Sequence, residues 1–580
     1  MLATIDWIII VSFFVIALVI GVWATGRASK SSSEYFLSGR NMPWLLLGMS
    51  MVATTFSIDT PNLVADIVRQ NGVAGNWVWW AFLLTGMLTV FVYARLWRRS
   101  GVMTDVEFYE LRYSGKPAAF LRAFRALYLG LFFNTVVMAS VTLAAIKLGT
   151  VMLGLTPLQT ILIAGGVTVV YSSLGGLLGV LLTDFLLFII AMIGSIVAAV
   201  AAVGHPGIGG VSQLLSHPTL AGKLSLLPNF ENGELAITIF FVPLAVQWWS
   251  VWYPGAEPGG GGYIAQRMLA AKNERHAMAA TLFFNAAHYA VRPWPWILVA
   301  LASLIVFPDL ASIKSALPHV DEGIIAHDMA YPAMLTFLPS GLLGLALASL
   351  IAAYMSTMST SLNWGASYIV NDFYKRFLKP RASEKELVLL GRISTVLMMV
   401  LASLFALYLK GALNAFNILL QIGAGTGLIF ILRWFWWRIN ALSELTAMLV
   451  SFAVAVGFTV LRNMKNAEVQ SLVDSGLSRI EAAQQVGGFK DWQELVLGVC
   501  ITTACWLLVT FVTKPAHRET LLHFYRLIHP SGPGWRAIAQ QVREDFPETE
   551  VTSWNIPLGL LCMVMGCFAV YSALFATGYW

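Results

Sequence analysis

The chain has 580 residues, of which 58% are hydrophobic and only 11% charged, and its mean hydropathy is +0.73. A soluble chain would carry about 25% charged residues, so a soluble enzyme or binding module is excluded and an all-α polytopic membrane protein is implied. The net charge of +6 then bears on loop orientation across a bilayer rather than on nucleic acid, which is not expected as a partner.

Apolar runs predict about fourteen transmembrane helices, at roughly 5–25, 44–68, 77–97, 122–153, 157–173, 176–203, 235–254, 276–306, 335–370, 386–410, 413–437, 441–461, 495–513 and 556–577. Met1 to Asp6 lacks a basic flank and the run behind it is too long for a signal peptide, so the first span is expected to be retained. The second is unusual. Between Pro43 and Gln70, the residues Thr54, Thr55, Ser57, Asp59, Thr60, Pro61 and Asn62 crowd one point, and Asp66 follows. A proline and an aspartate at membrane depth are tolerated only beside protein or a water-filled cavity. A helix broken by small polar residues frees carbonyls of the kind transporters use for ions and solutes, although a merely kinked helix with polar contacts is the plainer alternative.

A second interruption runs from Trp248 to Gln266, where PGAEPGGGG cannot remain helical. Trp248, Trp249, Trp252 and Tyr253 beside it either line a solute pathway with Glu257 or form an interfacial aromatic belt. Arg292 lies within a span, where a guanidinium costs at least ~2.5–3.5 kcal/mol. It answers either a solute carboxylate, Asp59 across a cavity, or a structural partner such as Glu257. From Leu350 to Asn363, Ser356, Thr357, Ser359, Thr360 and Ser361 place hydroxyls on several faces of one helix. They suit a monovalent hard cation or are bonded back to their own helix.

Most of the 36 Lys and Arg fall in alternate loops, around 27–40, 95–125, 267–275, 375–392, 433–438 and 514–543. That bias predicts a cytoplasmic side for these loops, extracytoplasmic termini and a multi-pass protein of the plasma (inner) membrane. The polar stretch 463–494 has helical spacing and is expected outside. Residues 513–555 are mixed in charge and expected to form a solvated cytoplasmic face. Cys500, Cys505, Cys562 and Cys567 lie in apolar runs and read as packing residues. Gly423-Ala-Gly425-Thr-Gly427 sits inside a span and reads as close helix packing, and His276, His288 and His319 are scattered.

Four motifs in order, RASKSSSEYFLSGRNMPWLLLGMSMVATTFS from Arg27, GGLLGVLLTD ending at Asp184, QRMLAAKNERHA at Gln266–Ala277 and AAYMSTMSTSLN at Ala352–Asn363, resemble the sodium:solute symporter family. The resemblance implies a LeuT-like core of two inverted five-helix repeats, at 44–203 and 235–440. Residues 1–43 would precede it as an extra helix, 204–234 would be an extracellular loop and 441–580 three further helices. It also implies Na+ as coupling ion, with no organic cofactor, and a small-molecule solute as partner within the lipid bilayer. Carried over by motif, one sodium site would comprise the carbonyls of Ala53, Phe56 and Ala353 with the side chains of Ser356 and Thr357. A second would use Asp184, Ser359 and Thr360. The proline-transporting branch carries an aspartate where this chain has Thr55, so proline is not favoured.

The implied function is secondary active, Na+-coupled symport of a small organic solute by alternating access. Arg292 and the aromatics favour a carboxylate-bearing or zwitterionic solute over a neutral sugar. A solute sensor with a symporter-like domain is the alternative. The chain's last residue, Trp580, just past the final span, is expected to mean that no kinase domain follows. An embedded enzyme is disfavoured because no nucleophile–base or metal-ligand set is visible. A passive channel would differ in failing to accumulate solute.

Overall fold

A computed structural model describes the chain except residues 1, 251–256, 319, 321, 323–324, 409–422, 424, 547–554 and 580. Its named elements are all helical, as expected of a chain whose backbone must satisfy its own hydrogen bonds in lipid. Among the described residues, ten helices are long and apolar enough to cross a membrane. The helices used below are α1 (Thr4–Ala28), α2 (Trp44–Thr55), α3 (Thr60–Asn71), α4 (Val73–Ser100), α5 (Gly115–Leu153) and α6 (Pro157–Val203). They continue with α7 (Gly233–Ala245), α8 (Gly262–Ala270), α9 (Glu274–Val306), α10 (Leu342–Leu378), α11 (Glu384–Tyr408) and α12 (Ala441–Asp474). The last four are α13 (Asp491–Val512), α14 (Arg518–Ile528), α15 (Arg536–Asp545) and α16 (Ile556–Tyr579).

The ten long helices and the fourteen expected spans differ for identifiable reasons. The second predicted span is two helices, α2 and α3. The fifth and sixth join in α6, where Gly176 (φ +53°) turns the chain; a Cβ there would lie 2.7 Å from the Tyr35 carbonyl oxygen, so both backbone and space require glycine. The seventh shortens to α7 before a turn at Gln247–Trp249. The run at 413–437 lies mostly outside the described residues.

At the centre, α6 packs most extensively against α10 and α1. Small residues permit this approach: a Cβ on Gly194 of α6 would lie 2.4 Å from Ser349 Cβ of α10. Asp6, buried on α1, accepts from the N–H groups of Gly341 (2.6 Å) and Gly344 (2.8 Å). It thereby satisfies orphan donors at the start of α10. Met42 and Ala271 form a short parallel bridge, with the Met42 N–H on the Ala270 carbonyl at 3.1 Å and the Lys272 N–H on the Met42 carbonyl at 3.0 Å. This fixes the start of α2 to the end of α8.

Of the stretch 513–555, expected as a solvated face, the described residues 513–546 instead pack one side inward. Trp535, fully buried, donates its indole N–H to the Trp434 carbonyl at 2.8 Å and stacks on Phe524 of α14. The physical reason is amphipathic spacing: Leu521, Leu522, Phe524, Tyr525 and Ile528 share one buried side while the charges occupy the other. The polar stretch after 461 continues α12 to Asp474, and a second helix, Arg479–Val486, follows a Ser478–Glu481 capping box.

Gly21 and Gly26 of α1 give a test of this packing. A Cβ on Gly21 would lie 2.4 Å from Tyr171 Cβ, whereas at Gly26 nothing is within 4 Å. Gly21→Leu should lower the melting midpoint of the detergent-purified protein, overpacking costing about 1–3 kcal/mol of stability. Gly26→Leu should leave it unchanged. Equal midpoints, read by size-exclusion after a heating series, would reject the α1–α6 contact.

Candidate functional site

The break between α2 and α3 follows from its residues. Pro61 sits in the first turn of α3, where its missing N–H is no loss, and the chain before it turns at Phe56–Asp59. The Phe56 N–H still reaches the Ala53 carbonyl (3.1 Å), the Thr60 N–H bonds the Ser57 carbonyl and the Ser57 N–H bonds Thr60 Oγ1, each at 3.1 Å. Two carbonyls beside the break are met by other helices, that of Val52 in addition to the Phe56 N–H (3.2 Å) and Thr55 Oγ1 (2.9 Å) of its own segment. Thr357 Oγ1 of α10 donates to the Thr54 carbonyl at 2.9 Å, and Arg292 Nη1 of α9 donates to the Val52 carbonyl at 3.0 Å.

The hydroxyls of α10 divide into two kinds. Ser356 donates to Asp184 Oδ1 at 2.6 Å, Thr357 bonds Thr54, and Thr360 Oγ1 lies 2.9 Å from Thr54 Oγ1. Those three reach across to other helices. Ser359 instead donates to its own helix, at the Ser356 carbonyl (3.1 Å). The structure thus brings the break carrying Ala53 and Phe56 against the stretch of α10 carrying Ala353, Ser356 and Thr357, all buried.

Asp184 and Thr360 also come close, but a third residue stands between them. Arg267, fully buried on α8, lies with Nη2 3.7 Å from Asp184 Oδ2 and donates from Nη2 to Thr360 Oγ1 at 2.7 Å. Nη2 and Nε also donate to Ser50 Oγ at 3.1 and 3.2 Å, and that hydroxyl donates onward to Asp184 Oδ2 at 2.5 Å. The charge pattern of the sequence groups Arg267 with the loop cations, and Ser50 carries no signal there. The signal for Arg267 was available: it is a lone charge in the apolar stretch GYIAQRMLA, every residue of which is buried.

Arg292 is buried between aromatic faces. Its guanidinium carbon lies 5.2 Å from the Trp296 ring centre and 5.8 Å from that of Phe56. Nη1 also donates to Thr55 Oγ1 at 3.1 Å, and Nε is buried without a partner. His288, treated as scattered from the sequence, lies on the same helix 3.3 Å from Thr55 Oγ1, with Trp79 edge-on to its ring. Neither expected acid meets Arg292. Asp59 is exposed and forms no ion pair among the described residues. Glu257 is buried in an ion pair with Arg125 of α5. The reason is the glycine run: with Gly259 and Gly260 at positive φ, and the Gly259 carbonyl held by the Trp97 indole at 2.8 Å, the loop turns Glu257 away from α9.

Trp248 and Trp249 are half-buried in the turn after α7. Trp249 packs against a small apolar cluster of Val242, Leu495 and Val499, and the Trp248 carbonyl accepts from Thr85. Trp252 and Tyr253 lie outside the described residues, and so does His319. Beside α5 and α10, Arg122 bonds Asp372 (2.8 Å) and Glu110 (2.7 Å). Burial opposes ionisation of Glu110, but hydrogen bonds from Arg376 and Arg122 outweigh it and hold that carboxyl below its ordinary range.

The sodium:solute symporter family model matches residues 35–451. The chain belongs to the sodium:solute symporter family. It is 25% identical to the sodium/glucose cotransporter of Vibrio parahaemolyticus over 471 residues, 78% of this chain and 85% of that one. It is 28% identical to the human sodium/myo-inositol cotransporter 2 over 464 residues, 75% of this chain and 66% of that one. The fold is similar to that of a solved Na+-coupled sialic acid symporter in a substrate-bound, outward-open state. The TM-score is 0.68 at 18% identity, covering 89% of this chain and 99% of the other. This symporter is therefore a multi-pass, Na+-coupled membrane transporter of LeuT-like fold and not an enzyme.

The Arg125–Glu257 pair is testable without knowing the solute. Removing one partner of a buried ion pair leaves an uncompensated charge, at a cost of about 3–5 kcal/mol, whereas an apolar replacement of both is far milder. Glu257→Leu should destabilise the symporter strongly, and Arg125→Met with Glu257→Leu should recover most of the loss in a melting assay. A double variant as unstable as the sum of the singles would show that the two side chains do not interact.

Proposed function

We propose that the symporter binds one Na+ where α2 breaks against α10, using the carbonyls of Ala53, Phe56 and Ala353 and the oxygens of Ser356 and Thr357. The ion would secure the break to α10 and favour a state that the solute then closes. The repeats 44–203 and 235–440 would rock about this point. Neutral oxygens suit a weakly held monovalent cation that must leave again. Each inward-moving Na+ contributes about 2.3 kcal/mol per 100 mV.

The solute class follows from Arg292. A buried guanidinium stays protonated, and here no carboxylate faces it among the described residues, while Nε lacks an acceptor. That unanswered charge supports a solute bearing a carboxylate, alone or as a zwitterion, lying between Arg292, Thr55, His288 and Trp79. The second reading is a neutral polyhydroxyl solute, favoured by relatives named for glucose and myo-inositol. In that case Thr55 and Arg292 would donate to hydroxyls.

Two measurements separate the elements of this proposal. Thr357→Ala should raise the Na+ concentration for half-maximal uptake about tenfold, one lost ligand being worth roughly a charge-assisted hydrogen bond. Uptake at saturating Na+ should change little, and an unaltered Na+ dependence would discard the site. Arg292→Lys should weaken binding of a carboxylate solute by at least an order of magnitude, since the planar fork is lost. It should scarcely affect the amide analogue of the same compound. Equal losses for acid and amide would transfer the proposal to the neutral class.

A further inference from the structure

Arg267 is spent entirely inside the protein. It and Asp184 are both 0% exposed, and each of its three nitrogens has an acceptor inside the protein. Nη1 donates to Gln266 Oε1 at 2.7 Å, Nε to Ser50 Oγ, and Nη2 to Ser50 Oγ and Thr360 Oγ1. Gln266 is itself pinned, its amide donating to the Phe36 carbonyl (3.0 Å) and Asn363 Oδ1 (2.9 Å). The carboxylate and two hydroxyls around this guanidinium are the set of oxygens a small cation would seek; the two hydroxyls accept from the arginine, and the carboxylate, bonded to Ser356 and Ser50, has the guanidinium as its counter-charge at 3.7 Å.

We infer that Arg267 is a tethered cation that fills the position at Asp184, Ser50 and Thr360, so that the symporter holds a single Na+, between α2 and α10. This rests on the sodium site proposed above and adds the number of ions that can bind. A buried carboxylate requires one compensating charge and the guanidinium supplies it. A second cation placed beside it would be repelled at short range in a medium of low dielectric.

The arrangement connects Arg267 to the remaining sodium site. Asp184 takes the proton of Ser356 on Oδ1, which leaves the lone pairs of that hydroxyl for an ion on its other side. Asp184 is therefore a positioning residue for the sodium ligand Ser356, and Arg267 keeps Asp184 in place. α8, which carries Arg267, is the helix that follows the glycine-rich break, so its displacement would withdraw the guanidinium and leave Asp184 without its counter-charge.

The test counts ions. Binding of 22Na+ to the purified full-length symporter, without solute, is measured by scintillation proximity at saturating Na+. One ion per chain is expected for the unaltered protein and two for Arg267→Gln, because the variant frees Asp184, Ser50 and Thr360. Two ions in the unaltered protein would overturn the inference, and so would a single ion in correctly folded Arg267→Gln. If that variant does not fold, the count on the unaltered protein decides. No bound Na+ at all would instead show that the α2–α10 site is wrong, and this inference would fall with it.

Discussion

Everything at the centre of this symporter depends on how the open end of α2 is satisfied. In lipid a free carbonyl has no water to turn to, and leaving it unmet costs several kcal/mol. Two side chains from elsewhere in the chain, Thr357 and Arg292, meet the Thr54 and Val52 carbonyls. The break is thus held by reversible contacts with α10 and α9 in addition to the hydrogen bonds of its own turn. Contacts of that kind can be exchanged for an ion or a solute without unfolding anything, which is the physical requirement for a carrier.

Around this soft point the structure places its charges in pairs. Asp184 with Arg267, Glu257 with Arg125, and Glu444 with Arg433 (3.4 Å) are all buried. Buried pairs add little net stability compared with apolar residues of similar size, but each is costly to separate singly. Their effect is on geometry. α8 is fixed through Arg267, the glycine-rich loop through Glu257, and the segment before α12 through Arg433. These three pairs lie outside the break, which itself carries hydroxyls and the guanidinium of Arg292.

The sequence revealed the features that violate local rules most strongly. Thr54, Thr55, Ser57 and Pro61 in an apolar run announced a broken helix, and the break is there between α2 and α3. Arg292 in mid-span announced a buried charge, and it is buried. What the sequence did not reveal depended on which partner a residue finds. Glu257 was weighed against Arg292, but its partner, Arg125, is on α5, more than a hundred positions earlier. Arg267 was counted with loop cations because hydropathy windows are longer than the nine residues of α8. The amphipathic faces of α14 and α15 were hidden by their high charge, which says how much of a helix is solvated but not whether its other side is covered. Such errors are all of one kind: composition reports the cost of placing a group, and only tertiary contact shows how the cost is met.

The same distinction bears on how an ion could be felt at both ends of the binding region. Ser356 and Thr357 are consecutive, yet their hydroxyls go to opposite partners, one to Asp184 on α6 and the other to the Thr54 carbonyl on α2. A cation drawing on both oxygens would pull on α6 and α2 together. From Asp184 the path continues through Ser50 and Arg267 to α8, and Thr54 is one residue from Thr55, which Arg292 holds. Two adjacent hydroxyls therefore connect the half-helix carrying Arg267 to Arg292, through hydrogen bonds of 2.5–3.2 Å and the chain steps between neighbouring residues. Coupling needs an element that both sites bias. In this fold that element is the short register of α10 from Ala353 to Thr360, too crowded with partners to move without moving them.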